Sequence, residues 1–260
     1  LLRAQVHALN ILRHLFLDTN LAKEMAAYVP QAMICALRGF AAESWAVRNS
    51  STLAFSVLLN RSLGGTTQRK TFSASEFFLR YSSLCPFLLE MLVKSTAILD
   101  KQVSAVGGGT PGGALHPELQ PVLVLLAQLA PSTHVRSDQA HLEAFVPLLQ
   151  RCARYNNLMV RSMAARALVP FVPANGIASF LRCELLEKVI AGGGGRGKNN
   201  EVHGILEQLR TLLHHLCLGE NHIFDSIAAD LKHPPTSEWL LLFVSLEYAV
   251  ATIASHPRTP

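Results

Sequence analysis

The chain has 260 residues, enough for one or two ordinary domains or one elongated array, so it can bury a core. Half of the residues are hydrophobic and only 16% are charged, against roughly 25% in a typical soluble domain, which excludes intrinsic disorder for the chain as a whole. The net charge of +5 suits an anionic partner, and nothing has a signal-peptide layout or the roughly 20 apolar residues of a membrane span; the longest apolar stretch, Trp239 to Ala254, contains Glu247.

In chain order, the apolar pattern is already helical at Leu1, so the chain is expected to be an internal segment of a longer protein. From Ser44 to Gly64, Val47, Ser50, Ser51, Ala54 and Leu58 form a stripe of mostly small residues, predicting an inner helix that neighbours approach closely. Ser73 with Glu76 has capping-box spacing, and Pro117-Glu118 reads as a first turn. Pro86, Pro121, Pro147 and Pro170 mark starts, ends or kinks. Val160, Met163, Ala164, Ala167, Leu168 and Phe171 follow i, i+3, i+4, i+7, i+8, i+11, one face of a helix. Ten of the sixteen glycines fall in Gly107 to Gly113 and Gly192 to Gly197, predicting flexible insertions at 104–114 and 191–199. Alternating strand patterns are absent, and about ten to twelve helices are expected.

A Val-Arg or Val-His pair recurs at Val6-His7, Val47-Arg48, Val160-Arg161 and Val202-His203, at intervals of 41, 113 and 42. Two intervals match the roughly 40 to 47 residues of a HEAT or armadillo unit. The fold class is therefore all-α, with residues 1–260 one stretch of an α-solenoid of HEAT/armadillo-like repeats.

No catalytic constellation emerges. Gly192-x-x-x-x-Gly197-Lys198 has phosphate-loop spacing, but Asn199 stands where Mg²⁺ binding needs Ser or Thr, and the preceding residues read as helix rather than strand. The adjacent His214 and His215 point to different helix faces, and His203 has no companion at ligand spacing, so no metal is expected. Cys152 reads as a buried thiol rather than a nucleophile. Five cysteines (Cys35, Cys85, Cys152, Cys183, Cys217) without C-x-x-C point to a reducing compartment, hence a cytoplasmic protein. No cofactor and no small-molecule substrate are expected, and no glycine-rich strand-to-helix turn offers S-adenosylmethionine a site.

The arginines are the remaining signal. From Ala144 to Cys183 there are five, Arg151, Arg154, Arg161, Arg166 and Arg182, and no acid; from Ser44 to Ser75 there are Arg48, Arg61, Arg69 and Lys70, again with no acid. Arg151, Arg154 and Arg166 are candidate RNA phosphate contacts, with Arg61, Arg69 and Lys70 as the second choice. Arg48 and Arg161 occupy the same place in two units and are expected to pair with a carboxylate of an adjoining turn. Trp45, beside Val47, is expected to anchor the core or a repeat contact rather than stack on a base.

Specific strings add a resemblance. SWAVRNSSTLAFS from Ser44, which holds Trp45, Arg48 and Asn49, resembles the signature segment of the thyroid adenoma-associated (THADA) family. VHALNILRHLFLDTNL from Val6, SEFFLRYSSLCPFLLEML from Ser75, VRSMAARALVPFV from Val160 with Arg161, and NEVHGILEQLRTLL from Asn200 with His203 agree in the same order. The resemblance implies a large helical-repeat protein that is not an enzyme. It implies a scaffold or regulator that binds tRNA and supports ribose 2′-O-methylation at position 32 of the anticodon loop by an FtsJ-type methyltransferase, which holds the S-adenosylmethionine. A Ser-Ala-Gly-Leu-Pro motif of the family has no match here and is expected upstream of Leu1. The alternatives are a protein-only HEAT scaffold in transport or cytoskeletal assembly, with the arginines as ladder residues, and, third, an enzyme in its own right.

Overall fold

The computed structural model describes residues 2–63, 72–104, 117–131, 140–172, 180 and 199–218. Among these the chain is all-α: α1 (Leu2–Leu17), α2 (Ala22–Met25), α3 (Val29–Gly39), α4 (Trp45–Ser62), α5 (Ala74–Arg80), α6 (Leu84–Ser104), α7 (Leu119–Leu126), α8 (Ala140–Glu143), α9 (Phe145–Arg151), α10 (Leu158–Leu168) and α11 (Asn199–Leu218). Single 3-10 turns at Ala26–Tyr28, Cys152–Arg154 and Val169–Phe171 link or finish helices. The described residues hold no strand, only an isolated bridge at Ser73 and Ala130, where the Ala130 amide donates to the Phe72 carbonyl at 2.8 Å. Of the two glycine insertions only Ser104 and Asn199 are described, as the end of α6 and the start of α11; the phosphate-loop match and Trp239–Ala254 lie outside the described residues. No helix among the described residues is long and apolar enough to cross a membrane.

Local chemistry accounts for the boundaries. Ser73 caps α5 reciprocally: its hydroxyl accepts from the Glu76 amide at 3.3 Å while its own amide donates to the Glu76 carboxylate at 2.9 Å. Pro86, Pro121 and Pro147 each stand third in α6, α7 and α9, and Pro170 second in its 3-10 turn, positions where the missing N–H breaks no intrahelical bond. Pro86, Pro121 and Pro147 therefore mark starts, and Pro170 marks the end of α10.

The chain divides into two compact units, residues 1–130 and 131–260. In the first, α4 packs against both α1 and α3. Its buried stripe is Val47, Ser50, Ser51, Ala54, Phe55, Leu58 and Ser62, as the small-residue pattern predicts. The contact with α3 is so close that a Cβ on Gly39 would lie 1.9 Å from the Ser51 hydroxyl. Phe77, packed edge-on between Phe78 and Tyr81, lies in the same core as Leu84, Leu88 and Leu123, each such residue contributing about 1.5 to 3 kcal/mol by burial. In the second unit α10 packs on α9 and α11, Phe145 stacks on Phe171 at 4.7 Å, and a Cβ on Gly204 of α11 would lie 2.2 Å from the Ala153 carbonyl oxygen.

The repeat intervals acquire a structural meaning within each unit. Residues 6 and 47 sit on α1 and α4, which pack together with their C-terminal ends adjacent, since Arg61 near the end of α4 bonds the carbonyls of Phe16 and Asp18. Residues 160 and 202 sit on α10 and α11, whose N-terminal ends are joined through Arg161 and Asn200. Helices one repeat apart thus lie side by side in the same sense, as the matching helices of neighbouring repeats do.

Candidate nucleic-acid interface

Arg48 and Arg161 hold one and the same local structure. Each is the fourth residue of its helix, after an extended N-cap (Ser44, Asn157) and a buried Val at the third position. Each guanidinium folds back over the loop that enters the helix. Arg48 Nη1 donates to the carbonyls of Ala42 at 2.8 Å and Glu43 at 2.7 Å; Arg161 Nη1 donates to those of Tyr155 at 2.6 Å and Asn156 at 3.2 Å. The acceptors lie six and five residues back in both cases. Carbonyl oxygens therefore take the place of the carboxylate the sequence pointed to, because a side chain of arginine length at the fourth position reaches its own entering loop before it reaches another helix. The second clamp is the stronger: Arg161 is 7% exposed, also bonds Asn200 Oδ1 at 3.1 Å, and Asn200 in turn donates to Asn156 Oδ1 at 2.9 Å. Burial lowers the Arg161 pKa from its ordinary value. Val6-His7 and Val202-His203 do not share this geometry: His7 lies mid-helix on α1, in a shallow groove with Ile11, His14 and Leu15, and His203 is exposed on α11.

The remaining candidates divide three ways. Arg166, in the last turn of α10, is exposed. Arg154 is exposed in the turn after α9 and its Nε stands 3.5 Å from the Glu201 carboxylate of α11, a partner far off in sequence; Arg151 is half-buried at the end of α9. Arg61 donates through Nε to the Phe16 carbonyl at 3.0 Å and through Nη2 to that of Asp18 at 2.6 Å, closing the C-terminal end of α1. Arg69 and Lys70 lie outside the described residues.

Trp45 departs from the first of its two expected roles, that of a core anchor. It is 70% exposed, not in the core, because the buried stripe of α4 begins two residues later at Val47, about 200° around the helix. Asn49, one turn further along the same side, is exposed as well. Two exposed cations were missed from sequence, Arg38 over the Phe87 ring at 5.6 Å and Arg80 over Phe72 at 5.7 Å. Their spacing from these aromatics gave no local signal. Asn156 and Asn200 were missed too; the paired asparagines at 156–157 and 199–200, each just before or at a helix start, were the readable sign.

Burial pushes the Cys152 thiol up to about 12, which keeps it protonated and unreactive. Among the described residues no three His, Cys, Asp or Glu side chains converge as a metal site would require. On α11, Glu207 is held below the usual carboxylate range chiefly by its hydrogen bond from Arg210, at 2.6 Å, with burial opposing.

Against known proteins, the family model described as "Trm732, C-terminal TPR repeats" matches residues 48–212, more than half of the chain, and the one described as "THADA/TRM732, DUF2428" matches residues 1–46. The chain belongs to the Trm732/THADA family. Its α4, α5–α6, α10 and α11 carry the strings that resembled THADA, and the family description names the helical repeats tetratricopeptide repeats, which like HEAT units are antiparallel helix pairs. Among relatives, the chain is 36% identical over 245 residues to the Mus musculus protein named tRNA (32-2'-O)-methyltransferase regulator THADA, covering 91% of this chain and 12% of that protein. It is 38% identical over 218 residues to the Homo sapiens protein of that name, covering 80% and 11%. It is 28% identical over 217 residues to tRNA (32-2'-O)-methyltransferase regulator trm732 of Schizosaccharomyces pombe, covering 80% and 14%. The chain thus spans between 11% and 14% of the length of these Trm732/THADA relatives. No solved structure matches it.

Proposed function

We propose that this chain serves a non-catalytic, cytoplasmic regulator of tRNA ribose 2′-O-methylation at position 32, binding tRNA for a partner methyltransferase of FtsJ type. The observation that carries the reading is family membership with relatives named as regulators of that methyltransferase. The chemistry of the described residues agrees in offering exposed arginines, Arg154 and Arg166, which suit phosphate binding. Arg166 and Arg154 are the phosphate contacts, with Arg151 three residues before Arg154 in sequence. The exposed Arg154–Glu201 pair is worth about 0 to 1 kcal/mol, so a phosphate can take its place. RNA helices are recognised largely through backbone and 2′-OH geometry, which a rigid helical surface with spaced arginines can read, leaving base choice to the enzyme.

Filter binding of tRNA to the intact protein at two salt concentrations tests this. Arg154→Gln and Arg166→Gln should each weaken binding and flatten the log–log salt slope by about 0.9, one phosphate apiece, and lower partner-dependent methylation. Undetectable tRNA affinity at low salt would overturn the reading. It would leave the protein-only scaffold, which the commitment of Arg48, Arg61 and Arg161 to backbone carbonyls favours.

A further inference from the structure

α4 turns two unlike faces outward and inward. While its buried stripe packs on α1 and α3, the exposed side carries Trp45, Asn49, Thr52, Ser56 and Asn60, spaced by four, three, four and four residues and so aligned along about 22 Å of one helix face. Leu53 is the one other large apolar residue exposed on α4. The strip is uncharged and rich in hydrogen-bonding groups, with one aromatic ring at its end, a composition that offers a protein partner neither a hydrophobic seam nor an ion-pair pattern. The helix itself bears Arg48 and Arg61 and no acid. Both arginines bond main-chain carbonyls, so among the described residues no carboxylate cancels either charge within ion-pair distance. No cation sits in the strip: Arg48, one turn from Trp45, is the nearer of the two, and Arg61 folds toward the end of α1.

We propose that this face binds a single-stranded stretch of RNA, with Trp45 stacking on an unpaired base and Asn49, Ser56 and Asn60 contacting the sugar–phosphate backbone. Stacking on an exposed ring needs a base free of its helix, so the site selects loops over duplex, and neutral amides and hydroxyls are common partners of phosphate and 2′-OH oxygens. Thr52 already donates its hydroxyl to the Arg48 carbonyl at 2.9 Å and is left as an acceptor, suited to a 2′-OH. The inference rests on the tRNA-binding reading above and adds to it a site separate from Arg154 and Arg166.

The test uses the intact protein, a twelve-nucleotide oligouridine and a blunt RNA duplex. Trp45→Ala should weaken oligouridine binding about tenfold, leave duplex binding unchanged and leave the salt slope unchanged, since no charge is removed. Trp45→Phe should restore most of the affinity, and both variants should melt as the wild type does, the ring being exposed. Wild-type tRNA binding with Trp45→Ala indistinguishable on oligouridine overturns this inference alone. Equal losses on oligouridine and duplex overturn it too, as does loss of enzyme capture with RNA affinity intact, which would make Trp45 a protein anchor. A wild type that binds no RNA overturns both this and the tRNA-binding reading.

Discussion

Replacing Arg161 by Ala removes a guanidinium whose acceptors are neutral. Had its partner been a buried carboxylate, the stranded charge would cost about 3 to 5 kcal/mol. The structure lowers that figure. What is stranded is the Tyr155 carbonyl, in a buried contact, and the Asn156 carbonyl in a part-buried one; Asn200 keeps its bond to Asn156. A buried carbonyl left without a donor costs about 1 to 3 kcal/mol, the upper part of that range here because its contact is buried; the part-buried Asn156 carbonyl and Asn200 Oδ1, which also lose a donor, add to it and the relief of desolvating the arginine takes about as much away, giving about 2 to 3 kcal/mol in all. Arg48→Ala breaks the same pair of bonds where water can replace them, because its Glu43 contact is exposed and its Ala42 contact only part-buried, and should cost about 1 kcal/mol. Native-state amide exchange in the first turns of α4 and α10 reads the two local opening equilibria. At about 1.4 kcal/mol per tenfold, exchange should speed up about 30- to 140-fold for Arg161→Ala in α10 and about fivefold for Arg48→Ala in α4. Arg161→Lys should fall between, as all three bonds come from Nη1, which an ammonium can imitate only if its shorter stem reaches the same point. Equal effects at the two positions would refute the argument that burial of the acceptors sets the cost, and a fivefold or smaller effect at Arg161 would refute the clamp itself.

Two further outcomes follow from contacts on the helix seams. Gly204→Ala places a methyl 2.2 Å from the Ala153 carbonyl oxygen, backbone that cannot rotate away, so α11 must shift at about 1 to 3 kcal/mol; Gly39→Ala meets the Ser51 hydroxyl at 1.9 Å, which can swing, and should lower the melting temperature less, with Ser51→Ala restoring part of the loss. For Glu207 the folded pKa lies below the ordinary 4.5, so its stabilising effect is complete above that value and is lost as pH falls through the depressed one; the melting-temperature gap between wild type and Glu207→Gln should therefore narrow as pH falls below 4.5, and a constant gap would refute the assignment.

What was legible in the sequence is what depends on near neighbours. The Ser73–Glu76 cap and the small-residue stripe of α4 are set within one or two turns, and each stands as read, whereas Pro117 falls just outside its expected first turn, α7 beginning at Leu119. The Val-Arg repetition pointed to real equivalence at Val47 and Val160, and its intervals to helices that pack side by side. The same pattern misled at His7 and His203, since imidazole lacks the reach to clamp a loop six residues back. The arginine partners were illegible for a different reason. An ion pair is suggested by opposite charges in sequence, whereas a carbonyl is present at every residue and leaves no mark. Arg154 shows the converse failure: its acid-free neighbourhood suggested a free cation, and folding brings Glu201 to it across 47 positions. Trp45 stands two residues before a buried Val47 and is itself exposed, since residues two apart on a helix look nearly opposite ways.

The arginines also show why the charge of this chain is segregated at all. α3, α4, α5, α9 and α10 each carry one in the last turn, namely Arg38, Arg61, Arg80, Arg151 and Arg166. There they face the partial negative charge, about half an electron, that a helix gathers at its carboxyl end, a favourable contact of about 0.3 to 1 kcal/mol. Half a unit of negative charge leaves each such end net positive. Arg61 shows one use of that excess, bonding the end of a neighbouring helix; Arg166, exposed in the same kind of position, has the other open to it. A phosphate carries a full charge against the helix end's half, so RNA can draw on an exposed last-turn arginine without unmaking the fold, whereas Arg48 and Arg161, folded over their own loops, can be drawn away only by opening a helix start. Which carbonyls lie within reach, more than charge count, thus sorts the arginines that hold this chain together from those left exposed.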